Sequence, residues 1–294
     1  MKPAPFQYFA PVTVDDALAL LAEHGYDAKL LAGGQSLVPT MNFRLSQPGV
    51  LVDLNKIADL AYIRADSDGT LRIGAMTRQS TVERDPLTAR HAPLLAEAMP
   101  HIAHRQIRNR GTIGGSLAHA DPAAELPAIM VTLNARFVIQ GAGRRREVAA
   151  RDFFQALFMT DLAPDEILTE IIIPPMPPGS GWAMDEIARR HGDYALVGAA
   201  ALVTMPEGDL CADATLTFLS VGETPVVATL ACAYLCGARI DDACIAEAAR
   251  MAGQEDMDPP GDIHASVAYR RKLAQVLARR VLTRAFQRAK DGVV

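Results

Sequence analysis

Two glycine-rich turns carry the chemistry this chain is equipped for. The first, Ala32-Gly33-Gly34-Gln35-Ser36-Leu37, breaks the apolar run Leu30-Leu31-Ala32. The second, Asn109-Arg110-Gly111-Thr112-Ile113-Gly114-Gly115-Ser116, continues through Leu117-Ala118-His119-Ala120 to Asp121-Pro122. Paired glycines let main-chain N–H groups approach a ligand with no Cβ in the way, and successive amides of this kind form a concavity for anionic oxygens. Ser36 stands where it caps a helix starting at Leu37, an end that favours negative charge. One Gly-Gly between a strand and a helix is most often a plain connection. Two of them predict a site that grips the two halves of one pyrophosphate, with the amides of Gly34 and Gly114 in contact with it.

The other reactive residue types are dispersed. No Ser-His-Asp or Cys-His pairing, carboxylate dyad or metal cluster stands out, so no catalytic or metal-ligating residue is assigned and a bound cofactor must carry the chemistry. The 4 cysteines, Cys211, Cys232, Cys236 and Cys244, contain no CxxC pair. Cys232 and Cys236 fall one helical turn apart, which predicts buried thiols. His101 and His104 have no third ligand type beside them. His119 lies inside the second turn and is kept as a neighbour of whatever binds there.

The elements that must position these turns follow from periodicity. Val14, Ala17, Leu18 and Leu21 mark a helix opened by Thr13 and Asp16 and stopped by Gly25. Strands are expected at 29–32 and 50–54, making a small α/β unit without the G-x-G-x-x-G fingerprint. A hairpin follows at 60–64 and 71–74, then a helix at 93–102, the second turn, a helix at 126–133 and a strand at 136–140. Arg144-Arg145-Arg146 reads as a solvated hairpin tip. A helix is expected at 151–158 and an alternating strand at 166–173. Pro174-Pro175-Met176-Pro177-Pro178-Gly179-Ser180-Gly181 then ends the unit, because it neither extends a helix nor pairs within a sheet. Beyond it come strands at 182–190, 195–204 and 214–221 and helices at 226–235, 241–251 and 266–289.

A chain of 294 residues suits two domains. The net charge of −5 argues against a nucleic-acid partner, which requires a basic face. There is no signal-type N-terminus and no apolar run near the ~20 residues of a membrane span. A cytoplasmic location without a transmembrane segment is expected.

The wording of the turns is specific. Ala32-Gly33-Gly34-Gln35-Ser36-Leu37-Val38-Pro39, and Thr112-Ile113-Gly114-Gly115-Ser116 through Asp121-Pro122, resemble the two FAD signatures of one family. That family is the flavoprotein (medium) subunit of the molybdenum hydroxylases, which include xanthine dehydrogenase and aerobic carbon monoxide dehydrogenase. Arg189-Arg190-His191-Gly192-Asp193-Tyr194-Ala195 and Tyr269-Arg270-Arg271 extend the resemblance over almost the whole chain.

The resemblance implies an α+β architecture. A two-part N-terminal FAD-binding domain of the vanillyl-alcohol-oxidase-like type, residues 1–57 and 58–175, would precede a C-terminal domain at 182–294 made of a three-stranded antiparallel sheet with helices. FAD would be held by Ala32, Gly33, Gly34, Gln35, Ser36 and Leu37 and by Thr112, Ile113, Gly114, Gly115 and Ser116, mainly through backbone amides, with hydroxyl bonds from Ser36 and Thr112. Asp121 or Glu125 would meet the ribose or adenosine part, Leu168 would lie near the adenine, and Tyr194 would lie against the isoalloxazine ring.

A molybdenum-cofactor large subunit and a small subunit with two-iron iron–sulfur clusters are the implied partners, in a heterotrimer or a dimer of heterotrimers. This chain would pass electrons from the clusters through FAD to an external acceptor. Gln35, Asn42 and Ser116 replace the His, Lys and acidic residue common in carbon monoxide dehydrogenase relatives, which argues against carbon monoxide as substrate. Asp185-Glu186 stand where some relatives carry Lys, so flavin tuning or acceptor choice is expected to differ. The alternatives are a stand-alone FAD oxidase, disfavoured by the few polar groups in the C-terminal third, and an FAD-free scaffold, disfavoured by the intact glycines.

Overall fold

The computed structural model describes residues 2–206 and 208–292. Its first sheet is parallel and contains β1 (Gln7–Phe9), β2 (Ala28–Leu31) and β3 (Val50–Asp53) in the order β1-β3-β2. Thr13 accepts from the Asp16 amide to start the helix Val14–His24, and Gly25, at φ 53, ends it. The buried Ala17, Leu18 and Leu21 of that helix cover the sheet and build a small core with Val50, Val52 and Leu54, closed off by Met76 and Ile167. The edge strand β1 lies outside the expected elements; it is 3 residues long, too short to show a period. Tyr8 anchors it by donating to Asp53 Oδ2 at 2.5 Å.

The second sheet contains β4 (Ile63–Ala65), β5 (Leu71–Gly74), β6 (Arg136–Gly141) and β7 (Arg144–Ala149). A hairpin of β8 (Phe154–Ala156) and β9 (Met159–Thr160) follows, and β10 (Ile167–Ile173) returns to the middle of the order β4-β5-β10-β6-β7. Every residue of β10 is buried, so the expected alternation is absent. Its charged Glu170 is compensated by the Tyr62 hydroxyl at 2.5 Å and by Arg72 at 2.9 Å.

Two expectations fail in this region. The helix predicted at 151–158 stops at Phe153, because Phe153 and Phe154 pack edge-on against each other at 5.2 Å and against Phe137 at 4.7 and 6.1 Å, which holds the chain extended. The arginine run is part of β7 and not a hairpin tip. Arg144 and Arg146 face Asp165, Asp161 and Glu166, which neutralise them.

The third sheet is antiparallel and contains β11 (Ser180–Ala188), β12 (Ala195–Thr204), β13 (Asp213–Leu219) and β14 (Val226–Val227) in sequence order. It has four strands where three were expected. The β-branched pair Val226–Val227 joins Thr217 and Phe218 of β13, and the helix expected from 226 starts only at Thr229. The helices Thr229–Leu235, Asp242–Gln254 and Val267–Asp291 cover one face. Trp182, Met184, Ala195, Ala200 and Leu219 turn the other face into the core that holds Leu71, Ile73, Ile113 and Leu126. Arg270, 6% exposed, ties the long helix to the sheet through the carbonyls of Leu196 and Ser220 and through Asp262. Cys211, Cys232 and Cys244 are buried as expected, but Cys236 is exposed. Its helix ends at Leu235 and leaves it as an extended cap, so helical spacing no longer applies there.

Candidate cofactor-binding site

The two glycine turns meet in space, and one position sets how closely. A Cβ on Gly33 would stand 2.5 Å from the Arg110 carbonyl oxygen and 2.7 Å from Gly111 Cα. A Cβ on Gly115 would stand 3.1 Å from Ala32 Cβ. The turn after β2 and the turn before the helix Ile113–His119 are therefore in backbone contact, a proximity that glycine alone allows.

The supply of free amides is unequal. None of the N–H groups of Gly33, Gly34, Gln35 and Ser36 finds an acceptor among the described residues. Gly34, at φ +71, folds them into one concave turn. Ser36 precedes the helix Leu37–Asn42 as expected, but its side chain makes no cap bond and its hydroxyl stays free.

In the second turn the amides are taken. Ile113 donates to Thr77 O at 3.0 Å, Gly114 to Ala75 O at 2.9 Å, Gly115 to Thr112 Oγ1 at 3.0 Å and Ser116 to Thr112 O at 3.2 Å. Gly114 thus differs from its expected role. A Cβ there would stand 2.5 Å from Ala75 Cβ, so its glycine serves the packing of this helix on the second sheet. Thr112, 2% exposed, spends its hydroxyl on the helix cap.

A polar brace that sequence reasoning missed locks the turns together. Arg78 donates to the Arg110 carbonyl and, at 2.5 Å, to Asn55 Oδ1, while Asn55 Nδ2 donates to the Ala32 carbonyl at 2.8 Å. Desolvation and then the charge of Arg110 push the Arg78 guanidinium pKa down, partly offset by Asp53. An anion in the adjoining turn would relieve that repulsion. Neither Asn55 nor Arg78 lies in a recognisable motif, so spacing gave no signal for them. Free amides, a close-approach glycine and flanking cations fit the pyrophosphate of a dinucleotide.

The remaining expected residues lie past the helix Ile113–His119. His119 packs its ring on Phe158, 5.1 Å between centroids, at the tip of the β8–β9 hairpin. Asp121 accepts from the Ala123 amide at 2.9 Å and shapes the loop into the helix Glu125–Thr132. Glu125 is 8% exposed, and burial pushes its carboxyl up to about 7, with the charge of Glu186 adding to the shift. Tyr194 precedes β12 and is 67% exposed, so it is no core aromatic. Local desolvation, and then the charges of Asp121 and Glu125, raise its phenol pKa. Leu168, 5% exposed, points into the core beside a register shift in β10. Among the described residues, no group of three or more His, Cys, Asp or Glu is placed to hold a metal.

A sequence profile for the FAD binding domain in molybdopterin dehydrogenase matches residues 4–176, and one for the CO dehydrogenase flavoprotein C-terminal domain matches residues 182–285. The chain is 43% identical to 6-hydroxypseudooxynicotine dehydrogenase complex subunit alpha of Paenarthrobacter nicotinovorans, over 99% of this chain and 97% of that one. Among solved structures, it superposes on quinoline 2-oxidoreductase from Pseudomonas putida 86 with a TM-score of 0.93 and 41% identity, covering 98% of this chain and 99% of that one. Carbon monoxide dehydrogenase from Hydrogenophaga pseudoflava gives a TM-score of 0.94 and 38% identity with the same coverage.

Proposed function

Because this chain belongs to the FAD-binding medium subunits of the molybdenum hydroxylases, we propose that it relays electrons within such a complex, from the iron–sulfur clusters of a small subunit to an external acceptor. It is an oxidoreductase subunit. Substrate is oxidised at the molybdenum cofactor of a large subunit, which also selects it, and the three chains form a heterotrimer or a dimer of heterotrimers. Among the described residues no helix is long and apolar enough to cross a membrane, and the proposal places the complex in the cytoplasm.

The observation that carries this reading is the turn at 33–36, whose amides have no acceptor among the described residues and whose Gly33 abuts the Arg110 carbonyl. FAD bound there supplies the ability to take electrons singly or in pairs, which joins one-electron clusters to a two-electron acceptor. The chain's own residues bind and orient it. The 33–36 amides and the free Ser36 hydroxyl hold the pyrophosphate, with Leu37 opening the helix behind them. Residues 112–116 form the opposite wall, Asp121 and Glu125 flank the ribose and adenosine, the backbone at Leu168 borders the adenine, and Tyr194 covers the ring. Residues 1–57 and 58–175 supply the two halves of the cradle, and 182–294 closes it.

Reconstitution tests the relay. The purified chain with FAD is expected to reduce no dye with any candidate substrate, and to support substrate-dependent dye reduction once the molybdenum and iron–sulfur subunits are added. Substrate-dependent reduction by the chain alone would instead make it a self-sufficient flavin oxidase.

Tyr194→Ala is expected to keep FAD but to alter the reduction potential and oxygen reactivity of the flavin, because ring packing worth about 1 kcal/mol is lost. Unchanged values for both would show that Tyr194 does not cover the ring.

A further inference from the structure

The C-terminal domain touches the FAD-binding domain close to the second glycine turn. His101 Nδ1 lies 3.4 Å from Glu186 Oε1 on β11. A Cβ on Gly192, at φ +78, would stand 2.6 Å from the Ala103 carbonyl oxygen. The Ser220 N–H, just past the end of β13, donates to the Pro122 carbonyl at 2.9 Å. Pro122 belongs to the loop between the helices Ile113–His119 and Glu125–Thr132. Asp121 closes that loop into a turn, its carboxylate accepting from the Ala123 amide at 2.9 Å and its carbonyl from the Ala124 amide at 3.0 Å. The bond from Ser220 then ties the turn to the third sheet.

Ser220 does not hold this place by its side chain. Its φ is 62, in the left-handed region that a non-glycine residue occupies only where its surroundings impose it. Its hydroxyl is buried with no hydrogen-bond partner among the described residues. The backbone is fixed on both sides instead, the N–H by Pro122 and the carbonyl by Arg270 Nη1 at 3.0 Å. The same Nη1 donates to the carbonyl of Leu196, two residues past Tyr194. The ladder between β12 and β13 stops at the Gly198–Leu219 pair. The guanidinium therefore joins the two strands just beyond their last rung, where one leads to Tyr194 and the other to Pro122.

A second route runs through the turn that precedes the long helix. Arg270 Nη2 donates to Asp262 Oδ2 at 2.6 Å, and Asp262 also accepts from the amides of His264 and Ala265. His264 Nδ1 lies 3.5 Å from Arg189 Nη1, and Arg189 Nη2 donates at 3.4 Å to Asp193, the residue before Tyr194.

We propose that Arg270 is a positioning residue of the cofactor site, which sets the Tyr194 segment and the Asp121–Pro122 loop relative to each other although its own helix covers the opposite face of the third sheet. The inference rests on the assignment of Asp121 and Tyr194 to FAD. A guanidinium suits the task because its planar donors hold several acceptors at fixed angles and its charge persists across the working pH range. Two segments that are already set need less ordering when FAD arrives, and that is how the residue strengthens binding without touching the cofactor. The coupling is reciprocal, so FAD strengthens the link by the factor by which the link strengthens FAD binding.

The first test needs no variant. Residue-resolved amide exchange of the full-length chain is expected to show the Ser220 N–H slowed about tenfold by saturating FAD. The second is FAD titration, with visible circular dichroism of the bound flavin, in the cold where the variants stay folded. Arg270→Met and Arg270→Lys should weaken FAD binding about tenfold and change the dichroism, and Asp262→Ala should do both to a smaller degree. Leu277→Ala, fully buried on the same helix, is the control for lost stability alone and should keep the parent's values. Parent values in the Arg270 variants, an equal shift in Leu277→Ala, or Ser220 exchange that ignores FAD would overturn the positioning role while FAD binding stands. If Arg270→Met does not fold, Asp262→Ala and the parent's Ser220 exchange decide the matter. A parent chain that binds no FAD would remove the FAD reading and the positioning role with it.

Discussion

Gly33→Val is expected to leave the purified chain colourless. At this position a Cβ would sit 2.5 Å from the Arg110 carbonyl oxygen and 2.7 Å from Gly111 Cα. Both obstacles are backbone, so relief requires the two turns to separate. Separation also breaks the brace from Arg78 to the Arg110 carbonyl and from Asn55 to the Ala32 carbonyl, and the free amides of 33–36 lose their aim. Overpacking of this kind costs about 1–3 kcal/mol before any ligand is considered. The loss of FAD affinity should be about 100-fold or more, ~2.7 kcal/mol.

Gly34→Ala is a graded comparison. Its φ of +71 strains an L-residue by about 1–2 kcal/mol, but the atoms it meets, Leu31 Cδ1 and Val38 Cγ2 at 3.2 Å, are side-chain ends that can shift. Gly114→Val should behave differently from both and lose thermal stability whether or not FAD is present, because it strikes Ala75. The measurements are flavin absorbance per chain, FAD Kd and thermal midpoint. A full flavin spectrum in Gly33→Val would contradict the site.

The largest stability loss is expected at Arg270. Its guanidinium, on a residue 6% exposed, donates to the carbonyls of Leu196 and Ser220 and to Asp262, joining the long C-terminal helix to the strand β12 and the end of β13. Arg270→Met leaves the Leu196 and Ser220 carbonyls without this donor, while Asp262, 46% exposed, keeps the His264 and Ala265 amides, a loss of about 2–4 kcal/mol. For a chain of this size the thermal midpoint should fall by roughly 10 °C. Arg270→Lys should recover little, since an ammonium cannot span partners that a planar fork reaches together. A midpoint within about 2 °C of the parent for Arg270→Met would show that the carbonyls find other donors.

Much of the site could be read from the residues because local rules and tertiary demands coincide there. Thr13 and Gly25 bracket the first helix as caps, and the paired glycines mark both turns. Burial, in contrast, hid the division of labour between the turns. Gly114 and Gly34 look alike in sequence, yet one is glycine to let Ala75 approach and the other to bend a loop. Strand β1 and the Val226–Val227 pair are too short to show a period, and both exist because a neighbouring strand offers them an edge. The helix expected at 151–158 gave way to aromatic packing of Phe153 and Phe154 on Phe137, a contact no window of local sequence contains. Asn55, Arg78, His101 and Glu186 are ordinary polar residues until the fold brings them together.

The small core around Ala17, Leu18, Val50 and Val52 is packed separately from the core that holds Ile113 and Leu117. The first turn leaves the small unit and the second enters the large one, so a molecule seated between them fastens two folding units. At a thousand times its Kd, such a ligand adds about 4 kcal/mol to whatever unfolds when the units part. Newly made chains that have not met FAD should open at this junction first and be cleared by proteases sooner. The cell's flavin supply would then set how many copies of this subunit survive long enough to find their partners.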